Sequence, residues 1–157
     1  MNAMVSVGDA APDFSSPGDG GATVALSALR GKSVALYFYP KDDTSGCTRE
    51  ALDFTALSDA FAAAGAVVIG MSKDSVASHD RFKSKHGLGV LLASDADGDV
   101  AERYGVWVQK SMYGRTYMGL ERATFLIDRE GRIARIWRKV KVPGHAEAVL
   151  EAVRALP

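Results

Sequence analysis

Ser33-Val34-Ala35-Leu36-Tyr37-Phe38-Tyr39 is a nearly continuous apolar run of β-branched and aromatic residues, stopped by Pro40. Without polar alternation, such a run suits a central strand covered on both faces. The period then changes. Leu57, Phe61 and Ala64 fall at i, i+4 and i+7, with Phe54 one turn earlier, which predicts one amphipathic helix over 48–64 ended by Gly65. Ala66-Val67-Val68-Ile69-Gly70-Met71 follows as a second buried strand. Strand, helix and strand in that order imply a crossover and a parallel pair, so this stretch alone points to the α/β class.

Working outward, residues 5–22 are rich in Gly, Ala, Pro, Ser and Asp and predict a lead-in with tight turns, followed by a short strand at Thr23-Val24-Ala25-Leu26. Downstream, Asp74 or Ser75 can cap a polar helix running to about His86, with Gly87 just beyond it. Val90-Leu91-Leu92-Ala93 is a third strand candidate and Asp99 to Tyr104 a short helix; residues 106–121 are aromatic, glycine-containing and irregular. Ala123-Thr124-Phe125-Leu126-Ile127 and Ile133-Ala134-Arg135-Ile136-Trp137 flank a turn with late glycine, the signal of a β-hairpin. Ala146, Val149, Leu150, Val153 and Leu156 share one face of a closing helix over 145–156. The hairpin adds antiparallel pairing. The expected fold is therefore one α/β domain over 1–157, a central mixed β-sheet flanked by helices on both faces.

Composition excludes several classes. The chain has 157 residues with 19 basic and 19 acidic side chains, so its formal net charge is zero and it carries no general field for nucleic acid or anionic lipid. With 47% hydrophobic and 24% charged residues it is not a disordered chain. No apolar run approaches the ~20 residues of a membrane span. The start, Met1 to Ser6, lacks a basic stretch followed by an apolar one and so does not predict a secretory signal. The expectation is a soluble, cytoplasmic domain. Arg129, Arg132, Arg135, Arg138, Lys139 and Lys141 form a basic stretch that reads as solvated hairpin charge rather than a nucleic-acid surface. Gly18-Asp19-Gly20-Gly21 lacks the strand-to-helix context of a phosphate loop and reads as a turn.

The single cysteine, Cys47, rules out an intrachain disulfide and a thiolate zinc cage. His79, His86 and His145 are scattered and read as exposed helix histidines rather than metal ligands, so no metal is expected. A lone cysteine is usually a small buried hydrophobe. Its neighbours here argue otherwise, because Pro40-Lys41-Asp42-Asp43-Thr44-Ser45-Gly46-Cys47-Thr48-Arg49-Glu50 is polar and turn-forming. Cys47 falls where a buried strand has ended and a helix begins, the place where open α/β sheets bind ligands. Unpaired first-turn N–H groups and the helix dipole favour a thiolate there, and cysteines so placed have pKa values lowered from ~8.5 to about 3.5–7.5. Thr44 can hold an oxygen near the sulfur, and Gly46 lets the backbone approach.

With Tyr39-Pro40-Lys41-Asp42-Asp43-Thr44-Ser45-Gly46-Cys47-Thr48, the chain resembles the peroxiredoxins, whose signature is Pro-x-x-x-Thr/Ser-x-x-Cys. The Gly-Cys-Thr step, Phe-Tyr-Pro-Lys-Asp and Gly105-Val106-Trp107 are similar to the Q-type subgroup, also called bacterioferritin comigratory protein. The similarity extends from Gly8-Asp9-Ala10-Ala11-Pro12-Asp13-Phe14 to Gly131-Arg132-Ile133. The resemblance implies a thioredoxin-like fold and a thiol peroxidase with no metal, haem or flavin cofactor. It makes Cys47 the peroxidatic cysteine, Thr44 the hydroxyl that hydrogen-bonds the peroxide, and Pro40 the ring that shields the pocket from water. It makes Arg122 the arginine beside the sulfur and Glu50 a residue that orients that arginine.

One departure matters. Where many Q-type enzymes carry a resolving cysteine five residues after the first, this chain has Leu52; where another subgroup carries it in the next helix, it has Lys83 beside Ser84. Ser45 also stands in place of the proline of the usual Thr-Pro-Gly-Cys form. The resemblance therefore implies a one-cysteine peroxidase acting on hydrogen peroxide or an organic hydroperoxide. Its reductant would be an external thiol such as thioredoxin, glutaredoxin or glutathione, and its assembly a monomer or weak dimer. The alternative is a redox-sensing binding protein in which oxidation of Cys47 alters partner contacts.

Overall fold

The computed structural model describes residues 5–157; both opening methionines, Met1 and Met4, lie outside the described residues. The lead-in forms a small antiparallel pair, β1 (Ser15–Pro17) with β2 (Thr23–Ala25). The apolar run is β3 (Ser33–Phe38), and every one of its residues is buried. After it come α1 (Ser45–Ala56), α2 (Ser58–Ala63), β4 (Ala66–Ser72), α3 (Val76–His86), β5 (Leu91–Ser94) and the single turn α4 (Val100–Arg103). The chain closes with β6 (Trp107–Met112), β7 (Arg115–Leu120), β8 (Ala123–Ile127), β9 (Ile133–Trp137) and α5 (His145–Arg154).

The central sheet has the order β5-β4-β3-β8-β9. β3, β4 and β5 are parallel, while β8 runs antiparallel to β3 and β9 antiparallel to β8, which is the expected mixed sheet. Because side chains alternate along a strand, β3 feeds two cores at once. Val34, Leu36 and Phe38 pack beneath α4 and the N-terminal segment, with Phe14, Val24, Tyr104 and Phe125. Ala35, Tyr37 and Tyr39 face the layer of α1, α2, α3 and α5, with Phe54, Phe61, Phe82 and Val149.

Three sequence expectations need correction. The helix expected over 48–64 is two helices that start earlier and break at Leu57 (φ −102°, ψ 7°). The Ser58 hydroxyl donates to the Thr55 carbonyl at 2.6 Å and satisfies a group freed by the break. Phe54 and Phe61 still both point inward, their rings 5.8 Å apart, so periodicity alone hid the interruption. The irregular stretch 106–121 is instead an antiparallel hairpin, β6 with β7, turned through Tyr113 and Gly114, both at positive φ. The usual turn signal has Asn or Asp where Tyr113 stands, and the strands, exposed near the tip, lack the alternation of a half-buried pair. His79 and His145, expected at helix surfaces, are buried, while His86 is half-buried against Asp43. The polar face of α3 does not look into water at His79, because the loop after β3 folds over it.

Candidate active site

β3 delivers the chain to Tyr39, which is buried, and to Pro40, which is exposed at the loop that leads into α1. Thr44 is the N-cap of α1: its backbone is extended (φ −95°, ψ 157°), and its carbonyl accepts the Thr48 N–H at 2.8 Å. The Thr44 hydroxyl donates to the Lys41 carbonyl at 2.9 Å, and this leaves its oxygen lone pairs free to accept. Cys47 is the third residue of α1, within the first turn, where backbone N–H groups have no intrahelical acceptor. Its side chain is only 2% exposed and belongs to the helical-layer core together with Tyr37 and Ala51.

Glu50 lies one turn further along α1, on the face of Cys47, and is 1% exposed. Arg122 enters from the connection between β7 and β8 and meets both residues. Its Nη2 donates to Cys47 Sγ at 3.3 Å and its Nη1 to Glu50 Oε1 at 2.6 Å. A side chain at position 46 would bring its Cβ to 3.2 Å from that Nη2, so Gly46 leaves the guanidinium room that a larger residue would narrow by a few tenths of an ångström. The connection itself is pinned on either side: the Arg122 carbonyl accepts from the Val140 N–H at 3.0 Å, and Glu121 takes Arg138 Nε at 2.8 Å and Nη2 at 3.0 Å.

The electrostatics follow from burial. Desolvation pushes the Glu50 carboxyl up to about 7, further than the charge and hydrogen bond of Arg122 pull it down. Arg122 itself is held above its ordinary value because the attraction of Glu50 and Cys47 outweighs its own desolvation. Glu50 Oε2 and the Tyr37 hydroxyl are buried without a hydrogen-bond partner. Two more basic side chains stand nearby. Burial and then the charge of Arg122 lower Lys110, on β6, and the same two causes hold His145 at about 4, so its imidazole is neutral at pH 7. His145 Nε2 is 2.8 Å from the Thr124 hydroxyl.

The structure thus brings Arg122 into direct contact with both Cys47 and Glu50 and leaves Thr44 and Pro40 exposed in the loop that leads into the same helix. Sequence reasoning missed Tyr37, Lys110 and the Glu121–Arg138 anchor. It also missed a buried network behind the loop, in which Asp42 is bonded by Tyr39, Ser78 and His79. The one visible hint was the Asp42-Asp43 pair, two acidic residues together in a short turn.

Residues 7–136 match the AhpC/TSA family. The chain is 49% identical over 150 residues to the peroxiredoxin Bcp of Bacillus subtilis, covering 96% of each chain. It is 41% identical over 150 residues to the peroxiredoxin Bcp of Escherichia coli, again covering 96% of each. Among solved structures it superposes on Xanthomonas campestris peroxiredoxin Q with a TM-score of 0.88 at 45% identity, over 98% of this chain and 97% of that one. A second match, at TM-score 0.88, 44% identity and 99% and 98% coverage, comes from work on alkyl peroxide reduction by the Xanthomonas campestris bacterioferritin comigratory protein. The fold is accordingly thioredoxin-like, and the chain belongs to the AhpC/TSA family, among its peroxiredoxins of the Bcp or Q type.

Proposed function

We propose that this peroxiredoxin reduces hydrogen peroxide or organic hydroperoxides through Cys47, Arg122, Thr44, Glu50 and Pro40. The observation that carries the reading is the guanidinium of Arg122 bridging Cys47 Sγ and Glu50 Oε1 at the start of α1. Arg122 and the first-turn N–H groups favour a sulfur that reacts as thiolate. The thiolate attacks the terminal peroxide oxygen, the O–O bond breaks, and an S–O bond forms. Cys47 is oxidised to sulfenic acid, and the departing alkoxide or hydroxide takes a proton to leave as alcohol or water. Negative charge passes from sulfur to the leaving oxygen, and Arg122, already beside the sulfur, is placed to meet it. The Cys47 N–H and the Thr44 hydroxyl hold the peroxide, Glu50 aims Arg122, and Pro40 limits water at the mouth.

The sulfenic acid is then reduced from outside, since the chain has one cysteine. An external thiol displaces water to give a mixed disulfide at Cys47, and a second thiol releases the Cys47 thiol and carries away a disulfide. A thioredoxin, a glutaredoxin or glutathione would serve, with the protein acting in the cytoplasm as a monomer or weak dimer. Steady-state peroxide consumption with each thiol donor tests the reading. Turnover with at least one donor, lost in Cys47→Ser, supports it; turnover that persists in Cys47→Ser refutes it. A single oxidation that no donor reverses would instead assign Cys47 a sensing role.

A further inference from the structure

The loop that precedes Cys47 is fastened to α3 by two adjacent aspartates. Asp43 sits in the left-handed region (φ 59°), which aspartate tolerates in turns. Its carboxylate meets Lys85 Nζ at 2.7 Å and His86 Nε2 at 2.8 Å, but these are surface pairs and contribute little. Asp42 is different. Its backbone N–H donates to Asp74 Oδ2 at 2.8 Å, its Oδ1 accepts from the Tyr39 hydroxyl at 2.6 Å, and its Oδ2 accepts from the Ser78 hydroxyl at 2.7 Å.

The remaining partner of Asp42 is His79, whose Nδ1 lies 2.7 Å from the same Oδ2. The other ring nitrogen, Nε2, lies 3.0 Å from the Ala93 carbonyl of β5. A neutral imidazole carries one N–H and one lone pair, so it would set a lone pair against one of these acceptors. Only the imidazolium satisfies both. Burial opposes that charge, yet the bond and attraction to Asp42, the Ala93 carbonyl and the charge of Asp74 outweigh it and hold His79 above its ordinary value. The Tyr39 hydroxyl, 3.4 Å from Nδ1, completes the polar groups around the ring. No step at the sulfur employs this buried ion pair.

We propose that His79 is a positioning residue for Cys47. As an imidazolium between Asp42 and β5, it clamps the 40–44 loop to α3 and keeps Thr44 and the first turn of α1 closed against Arg122. The inference rests on the peroxidase reading but concerns the closed state itself. Closure favours attack on peroxide, because the sulfur, Arg122 and Thr44 must be held together. It opposes access by larger reagents, because Cys47 is 2% exposed and an external thiol reaches it only when the first turn opens.

His79→Asn keeps a donor toward Asp42 but loses the charge and the bond to Ala93. Two rates are measured on the folded, reduced protein well below its unfolding temperature: oxidation of Cys47 by hydrogen peroxide, and its alkylation by iodoacetamide. The clamp predicts opposite movements, oxidation slower and alkylation faster, each by about tenfold. A merely structural role lowers the unfolding temperature and leaves both rates alone; that result, or both rates moving together, overturns the proposal. Should His79→Asn not fold, Ser78→Ala removes one bond to Asp42 and is expected to give the same opposite movements, severalfold, while unchanged rates there overturn the clamp. The alkylation rate needs no peroxide chemistry. A wild-type protein that peroxide fails to oxidise refutes the peroxidase reading, whereas alkylation unchanged in the folded variants refutes the clamp.

Discussion

Replacing Glu50 by Gln offers a direct measure of what the buried Arg122 pair costs the fold. Gln keeps the volume and an oxygen to accept from Arg122 Nη1, and removes only the ionisable group. Burial raises the Glu50 carboxyl from 4.5 to about 7, so ionising it in the folded protein costs roughly 3 kcal/mol more than in the unfolded chain. The sign follows from proton counts. Between these two values the folded state binds the extra proton, so the Glu50 contribution lowers stability as pH rises and is fully unfavourable above about pH 7. Denaturant titrations of both proteins from about pH 5 to about pH 8.5 are expected to show the variant gaining roughly 2–3 kcal/mol relative to wild type over that range. Any fixed cost of the new amide, such as an unsatisfied N–H beside the orphaned Oε2 position, is the same at every pH and drops out. A difference that stays constant across the range would refute the raised Glu50 and, with it, the view that desolvation outweighs Arg122 at this site.

Further outcomes are open to measurement. Arg122→Ala is expected to slow peroxide attack on Cys47 by about 10²–10³-fold in rapid-mixing experiments, the scale of losing one preorganised donor to developing charge; a wild-type rate would place the catalytic cation elsewhere. His145 is held at about 4 when folded, so the unfolded chain takes up its proton first and this residue makes stability rise with pH between about 4 and 6.5. Glu50 opposes that slope over nearly the same range, so the stability of His145→Gln relative to wild type should fall as pH rises from about 4 to 6.5, and an unchanged profile would refute the depressed histidine. Finally, stoichiometric peroxide followed by a small thiol should give a mixed disulfide at Cys47 by mass spectrometry, and excess peroxide alone a sulfinic acid. A sulfenic acid that persists in the presence of every thiol tested would contradict external resolution.

From the sequence alone came the succession of strands and helices in the first half, the mixed sheet, the hairpin of β8 and β9 and the place of Cys47, because each rests on local signals. Apolar runs, helical spacing and turn residues act over a few positions, and a cysteine between strand and helix needs no distant partner to be noticed. Thr44 could be placed near the sulfur from its position three residues before Cys47, but Pro40 and Arg122 were legible only through the resemblance to peroxiredoxins: by itself Arg122 is a charge at a strand start, 75 residues from the sulfur it touches. The break at Leu57 was not legible, because both helices keep the same inward face and helical period counts side chains, not backbone hydrogen bonds. The hairpin of β6 and β7 was hidden because its exposed outer strands have no core face to impose alternation. Tertiary structure alone decided the titrating groups. His79 and His145 read as exposed, and nothing local marks Glu50 as buried; the protonation of all three is set by burial and by the groups that other elements bring to them. Burial of a polar side chain depends on what folds over it, and that partner lies tens of residues away, as Asp42 does from His79.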